Sequence, residues 1–460
     1  MSHSTTPSLS YRFSPRAALA ALGIRLQGLH LFGPVRDHVH IAPKTVTHTP
    51  VQKLYDAFIA LLAGAPGLVE INKRLRSAPG LHAAFGRQSG AAQSVGQDTR
   101  DACPEANVTQ MHHAMDDISR RQSQGFRHDS PQRLQVLDVD LTGMPCGTKA
   151  ACATTGYFAN QRHRRGRHLG QVLATRDDAI VAERLCSGTT PLTAALQPLV
   201  LAAAQTLDLD DDTRPRTLWR MEAGGGSVDD VHGLLGRGYH VHCKDYSGTR
   251  AQTLAASVTT GAEDPRIPER QVGWVTGVDT PSSRPVRRVA VRCRKKNGQW
   301  GVGVLISTLA PPAVSGLTQQ PVDRVQAPTA VLLAYVYLDD QRGGGVETAI
   351  KGAKQGLGMT NRNKKRFEAQ QLVPPLNALA HHTIGWARQG LTPYVPSVRG
   401  WGIMRLVRDV FHVRGQIVFD HQQRISQIML NPADPLAKGL APGLFALLGS
   451  EHIAVTLGEI

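Results

Sequence analysis

The spacing of apolar positions changes character several times along the chain. From Thr49 the pattern is helical. In "TPVQKLYDAFIALLAGAPGLVEINKRLRS", Leu54, Phe58, Leu61 and Leu62 share one face, and a Gly-Ala-Pro-Gly break follows. A second helix then carries Lys73, Arg74 and Arg76, and a further helical run over 107–122 opens on an asparagine suited to an N-cap. At "LQVLDVDLTGMPCG" (134–147) the period drops to two, which predicts a strand. Further strands are expected around 150–158, 168–175 and 179–186. A helix over 191–207, a strand in 216–222, a helix over 228–236 and a strand over 238–244 complete the series. Strands alternating with helices in this order predict a mixed α/β layer, with helices packed on a central sheet.

Residues 246–330 read differently. "QVGWVT", "VRRVAVRC" and "WGVGVLIST" are short strands between Pro- and Gly-rich turns, which predicts a β-rich insertion. Helical character returns in "GGGVETAIKGAKQGLG" and "NKKRFEAQQLVPPLNALAHHTIGWARQ", where Pro374 and Pro375 should kink or end the helix. The expected organisation is an N-terminal arm (1–48), a helical domain with a basic face (49–130), an α/β core in two parts (131–245 and 331–395) around the β-rich insertion (246–330), and a C-terminal tail (396–460).

Composition narrows the partners. At 460 residues the chain is long enough for two to four structural units. Lys+Arg 52 against Asp+Glu 36 gives a net charge of +16, and such a field favours a polyanion, nucleic acid first. An anionic membrane surface is second, but no basic amphipathic helix is long enough to support it, and no stretch reaches the length of a membrane span. The N-terminal segment is too polar for a signal peptide, so a cytoplasmic, nucleoid-associated location is expected. The six cysteines lack CxxC pairs, which argues against a zinc ribbon or a disulfide frame.

Three acids stand out by position. Asp140 lies at the tip of the first strand with Asp138 one alternation behind; Glu222 lies at the tip of the later strand and runs into three glycines; Glu347 is expected to begin a helix. Three convergent carboxylates need cations to neutralise them, and hard, oxygen-seeking Mg²⁺ or Mn²⁺ suits them. Glu347, Lys351 and Lys354 fall at i, i+4 and i+7, one face of a helix, which would join a ligating acid to two phosphate-binding cations. Tyr337 and Arg342 can add phosphate contacts. Of the basic runs, "QRHRRGRH" (161–168) offers Arg164 and Arg165 to a DNA backbone, and "RNKKR" (362–366) is a second candidate; each is otherwise a solvated loop. "GGGS" lacks the spacing of a phosphate cradle and reads as a turn.

The segments "LDVDLTGMPCG", "WRMEAGGGSVDDVHGLLGRGYHVHCKDYSG" and "YLDDQRGGGVETAIKGAKQGLG" resemble those of bacterial insertion-sequence transposases of the DDE class, over roughly residues 50–390. The last is similar to that family's Tyr-Arg-Glu-Lys signature: Glu347 and Lys354 keep its spacing, while Arg342 and Tyr337 are set further upstream. The resemblance implies an RNase H-like mixed sheet flanked by helices, with the β insertion and a helical N-terminal domain. It makes Asp140, Glu222 and Glu347 the metal-holding catalytic acids. It also implies double-stranded DNA as partner, both the element's terminal inverted repeats and the target, within a homodimer that synapses the ends. The implied activity is metal-dependent end cleavage followed by strand transfer. The second acid is expected to be aspartate in an Arg-x-Asp-x-Gly setting; here Arg220, Met221, Glu222, Ala223 and Gly224 put one methylene more into the side chain, about 1.5 Å of extra reach. That departure keeps two alternatives open: a decayed or repurposed DNA-binding protein, and a nuclease on the same fold.

Overall fold

The computed structural model describes residues 9–42, 47–65, 67, 70–75, 77–92, 99–158, 161–259, 261–278, 284–295, 297–319, 328–449 and 452–458. It divides into two compact units, one of 1–122, 145–153 and 350–460, the other of 123–144 and 154–349. Strands are numbered along the whole chain.

In the first unit β1 (Ser10–Ser14), β12 (Gly415–Phe419), β13 (Ile425–Leu430) and β14 (Ala454–Leu457) form one sheet in that order. The sequence suggested an arm over 1–48, but the helix Ala17–Gly28 is built into the core, with every residue from Ala17 to Leu22 at 2% exposure or less. Its small side chains let neighbours approach on every face, and a helix apolar all round belongs inside. It packs on the helices Pro79–Ala84 and Ala437–Leu448. The expected tail therefore supplies three strands and a core helix.

The helix Pro50–Leu62 starts at a capping box in which Thr49 and Gln52 satisfy each other's backbone N–H groups. The helix expected over 107–122 begins two residues earlier, at Glu105, and Asn107 does not cap it: its Nδ2 donates to His40 O at 2.9 Å and Gln110 Oε1 at 2.6 Å. Pro374 and Pro375 end one short helix and open another, Val373–Leu391, where first-turn prolines cost no hydrogen bond. Arg76 and the side chains of Lys73 and Arg74 lie outside the described residues.

The second unit follows the predicted order: β2 (Gln135–Pro145), β3 (Thr154–Phe158), β4 (Gln161–Ala174), β5 (Ala179–Ser187), the helix Leu192–Thr206, β6 (Thr217–Met221), the helix Val228–Gly236 and β7 (His240–Lys244). β8 (Ala262–Glu263), β9 (Arg270–Val275), β10 (Arg287–Arg294) and β11 (Trp300–Ser307) follow. The sheet runs β3-β4-β2-β6-β7-β11-β10-β9-β8, with β5 on β4. β2, β6 and β7 are parallel, whereas β11 pairs antiparallel with β7, Leu305 opposite Lys244. The β-rich stretch is thus a continuation of the central sheet. Its strands had read as a separate insertion because their pairing with β7 leaves no local mark in the sequence.

Alternation on β2 and β6 divides two core faces. Leu137, Val139, Trp219 and Met221 face the helices Leu192–Thr206 and Val228–Gly236. Val136 and Leu218 pack on the other side, with Leu332 to Leu338 of the helix Pro328–Lys351. Asp138, Asp140, Arg220 and Glu222 follow at two-residue steps on that second side. Among the described residues no helix is long and apolar enough to cross a membrane.

Candidate active site

The parallel register of β2 and β6 ends with Val139 opposite Met221, and the next residues are Asp140 and Glu222. The end of this pairing therefore brings two of the expected acids together; Glu222 directly follows β6, but Asp140 lies midway along β2, which runs on to Pro145, and not at the strand tip that the sequence suggested. The third comes from the helix Pro328–Lys351. Glu347 does not begin this helix, as the sequence suggested, but lies near its end; the three glycines are helical. Gly345 is needed there for close approach, since a Cβ would stand 2.9 Å from Asp138 Oδ2. A second glycine has the same use after β6, where a Cβ on Gly226 would stand 1.8 Å from Lys244 O; "GGGS" is a turn.

One guanidinium joins the acids. Arg342 Nη2 donates to Glu222 Oε1 at 2.5 Å and approaches Glu347 Oε1 at 3.4 Å. The Arg342 side chain is 5% exposed, against 51% for Glu222 and 53% for Glu347. Asp140 is half-buried, and its Oδ1 accepts from the Leu141 N–H at 2.7 Å. Burial pushes its carboxyl up to about 6; the Glu222 and Glu347 carboxylates push the same way, against the Leu141 N–H and Arg342. Three carboxylates thus share one neighbourhood with one guanidinium. Among the described residues no three acid, histidine or cysteine side chains already stand where they could hold a metal ion together.

Asp138 is a different case. It is fully buried and receives Arg220 Nε at 2.6 Å and Nη2 at 2.8 Å, while Nη1 donates to Leu338 O at 2.9 Å. The choice of Asp140 over Asp138 as the first acid agrees with this closed pair. Ser227 caps the helix Val228–Gly236, its Oγ accepting from Asp230 N at 3.1 Å and donating to Asp230 Oδ2 at 2.5 Å, and Trp219 packs edge-on to Tyr239 in the core.

No protein family and no curated protein matches this chain. Among solved structures it is similar to piggyBac transposase in a synaptic complex with hairpin DNA, at 10% identity over 80% of this chain and 73% of that one, with a TM-score of 0.43. A likeness this slight assigns neither fold nor activity.

The expected DNA contacts divide. Tyr337 is 5% exposed, its hydroxyl donates to Asp264 Oδ1 at 3.0 Å, and Arg266 stacks on its ring at 3.5 Å. Its upstream displacement puts it inside the protein, so it presents no open face to phosphate. Arg342 is also buried: its Nη2 is given to Glu222 and Glu347, while its Nε and Nη1 have no hydrogen-bond partner among the described residues. Lys351 is exposed and closes the helix, while Lys354 lies in a π-turn of the first unit, where the seven-residue stripe of a regular helix no longer holds. Arg164 and Arg165 are exposed on β4, with Arg164 Nη1 donating to Gln161 Oε1 at 3.1 Å. Neither the Arg342–Glu222 bond nor the closed pair on Arg220 is visible in the sequence, because the partners lie 120 and 82 residues apart.

Proposed function

We propose that this protein is a DNA transposase with an RNase H-like core, and that Asp140, Glu222 and Glu347 hold Mg²⁺ or Mn²⁺. The observation that carries the proposal is the meeting of an acid within β2 and an acid just past β6 with a helix-borne third around the Arg342 guanidinium. The order β5-β4-β2-β6-β7, with the last three parallel, supports the RNase H-like reading. The donor set fits a hard divalent cation: all the ligands are carboxylate oxygens, and the raised proton affinity of Asp140, due first to burial, is added to by the Glu222 and Glu347 carboxylates. When bound, such an ion lowers the pKa of an attacking water or hydroxyl and stabilises the leaving oxygen of a phosphodiester. The chain's own part is to fix the acids. Rigid β2 and β6 place Asp140 and Glu222, Gly345 lets the helix bring in Glu347, and Arg342 neutralises charge until a cation takes over. Arg164, Arg165, Lys351 and Lys354 are the proposed backbone contacts to terminal repeats and target DNA, within a homodimer.

The clasp of Glu222 and Glu347 by Arg342 favours a second reading, a decayed or repurposed copy that binds DNA without cutting it. Strand transfer of inverted-repeat duplexes with Mg²⁺ or Mn²⁺ separates the two readings. The native chain should cleave and join, and Asp140→Asn should abolish both steps. Glu222→Asp should gain on the order of a hundredfold if one methylene misplaces the oxygen by about 1 Å. Activity in the Asp form alone marks a damaged copy. DNA binding with no activity in either form supports the second reading, and cleavage without joining marks a nuclease.

A further inference from the structure

The run "RNKKR" is not a solvated loop. Arg362 and Lys364 are 3% and 5% exposed, while Asn363, Lys365 and Arg366 between and after them are exposed. Hydrogen bonds within the first unit fix the run from several sides. Arg362 Nη2 donates to Ala65 O, and Asn363 Nδ2 donates to Pro145 O at 2.9 Å. Lys364 N donates to Gln370 Oε1 at 2.7 Å, and Lys365 O accepts from Ala151 N at 2.8 Å. Arg366 reaches the carbonyls of Asp101 at 2.5 Å and Cys103 at 3.3 Å.

Arg100, itself 2% exposed, lies within electrostatic reach of both inward cations. Asp101 offsets this on Arg100 and Lys364, whereas Arg362 feels burial and the charge of Arg100. Nε of Arg100 and both Nε and Nη1 of Arg362 have no hydrogen-bond partner among the described residues. Burial first, then mutual repulsion, lowers Lys364 to about 8 and Arg362 to about 9; burial lowers Arg100 to about 10. Buried cations and unsatisfied guanidinium donors are costly, and an oxyanion that accepts from several of them removes both costs together.

We propose that Arg100, Arg362 and Lys364 form a phosphate-binding site in the first unit, and that its occupant is a backbone phosphate of DNA. Guanidinium groups match tetrahedral oxyanions by geometry as well as charge. The exposed Lys365 and Arg366 of the same run, and Lys149 on the segment bonded to it, extend the positive surface along which a backbone can lie. The choice of DNA rests on the proposed function; the anion site rests on the cations alone.

The test uses the full chain without metal, as wild type, Lys364→Met, Arg100→Met and the exposed control Lys438→Met. Thermal midpoints are compared in sodium phosphate and in sodium chloride of equal ionic strength, and duplex-DNA affinity is followed by anisotropy across salt. Phosphate should raise the wild-type midpoint beyond chloride. Either buried-site variant should start with an equal or higher midpoint in chloride, lose the phosphate response, bind duplex about tenfold more weakly and show a salt slope lower by about 1. The control should behave as wild type in all respects. If one variant does not fold, the other is decisive. A folded variant that keeps both the phosphate response and the DNA affinity overturns the site. A variant that loses the phosphate response but keeps its DNA affinity and slope overturns the DNA occupant and leaves a site for free phosphate. Because no metal is present, absence of strand transfer leaves these results untouched.

Discussion

Two acid–arginine groupings lie next to each other along β2, one at Asp138 and one at Asp140, and they are built in opposite ways. Asp138 and Arg220 are both buried, matched one to one, and closed by two short hydrogen bonds plus a third from Arg220 to a carbonyl. One step further along, Asp140, Glu222 and Glu347 bring three carboxylates against Arg342 alone, and two of those carboxylates are half exposed. The first grouping leaves no charge over and no opening. The second leaves negative charge where solvent, a cation or a substrate can reach it. Strand position does not separate a structural acid from a catalytic candidate; charge balance and access do.

The comparison breaks most visibly in stability. Removing one partner of the closed pair strands a buried charge, so Arg220→Ala or Asp138→Ala should each cost about 3–5 kcal/mol. The double replacement Asp138→Leu with Arg220→Met should cost much less than the sum of the two, because no charge is left unpaired. Urea unfolding of all three checks this. If the single variants lose less than about 1 kcal/mol, the pair is not what holds β2, β6 and the helix Pro328–Lys351 together. By contrast, Glu222→Gln should leave stability nearly unchanged, since its side chain is half exposed.

The second effect is a pH step. Asp140 titrates near 6 when folded and near 3.9 when unfolded, so the folded form holds its proton more tightly. Its contribution to stability is therefore fully present below about pH 4, falls as pH rises through 6, and levels off above. The step is worth up to about 3 kcal/mol. Unfolding free energies from pH 4 to 7.5 should show this decline in the native chain and a flatter curve in Asp140→Asn. Mn²⁺ should shrink the step if it joins the acids. A native curve parallel to that of the asparagine form would mean that Asp140 does not sense its neighbours.

The contrast between the groupings was only half legible in the sequence. Strand alternation revealed β2 and β6, and with them the shared face of Asp140 and Glu222, because a half-buried strand writes its two faces into a period of two; that β2 runs on past Asp140 to Pro145 was not legible. Glu347 was legible from its spacing to Lys354. Pairing across the fold was not, since Arg220 meets Asp138 through a parallel register with no local trace. The helix Ala17–Gly28 was missed for another physical reason: its first two turns are buried on every side, and polar Arg25 and Gln27 come only in its last turn, so no polar face runs along it. "RNKKR" was legible only as a DNA-contact candidate or a solvated loop, because its residue types do not show that Arg362 and Lys364 turn inward while Lys365 and Arg366 stay exposed.

A third effect sharpens the comparison at the open grouping. Arg342→Gln removes the one guanidinium that spans Glu222 and Glu347, so these acids should bind a divalent cation more tightly. A several-fold gain in Mn²⁺ affinity, near 1 kcal/mol, is expected from the loss of one competing charge in a partly solvated cluster. Isothermal titration reads it directly. Equal affinity in both forms would show that Arg342 does not compete for the site. No binding in either form would count against the metal reading itself.

The smallest effect concerns the exposed strand of the same unit. Arg164 and Arg165 project from β4, where the local chain is polar and solvent-facing, so replacing either by alanine should shift the thermal midpoint little. If they contact DNA through phosphates, each loss removes one counterion-releasing contact. The plot of log affinity against log salt should then flatten by about 1 for each substitution, equally for every duplex sequence tested. A change confined to one sequence would mean that these arginines read bases. An unchanged slope would leave the net positive charge of β4 without a part in binding, and would shift the expected backbone contacts to the first unit's cations.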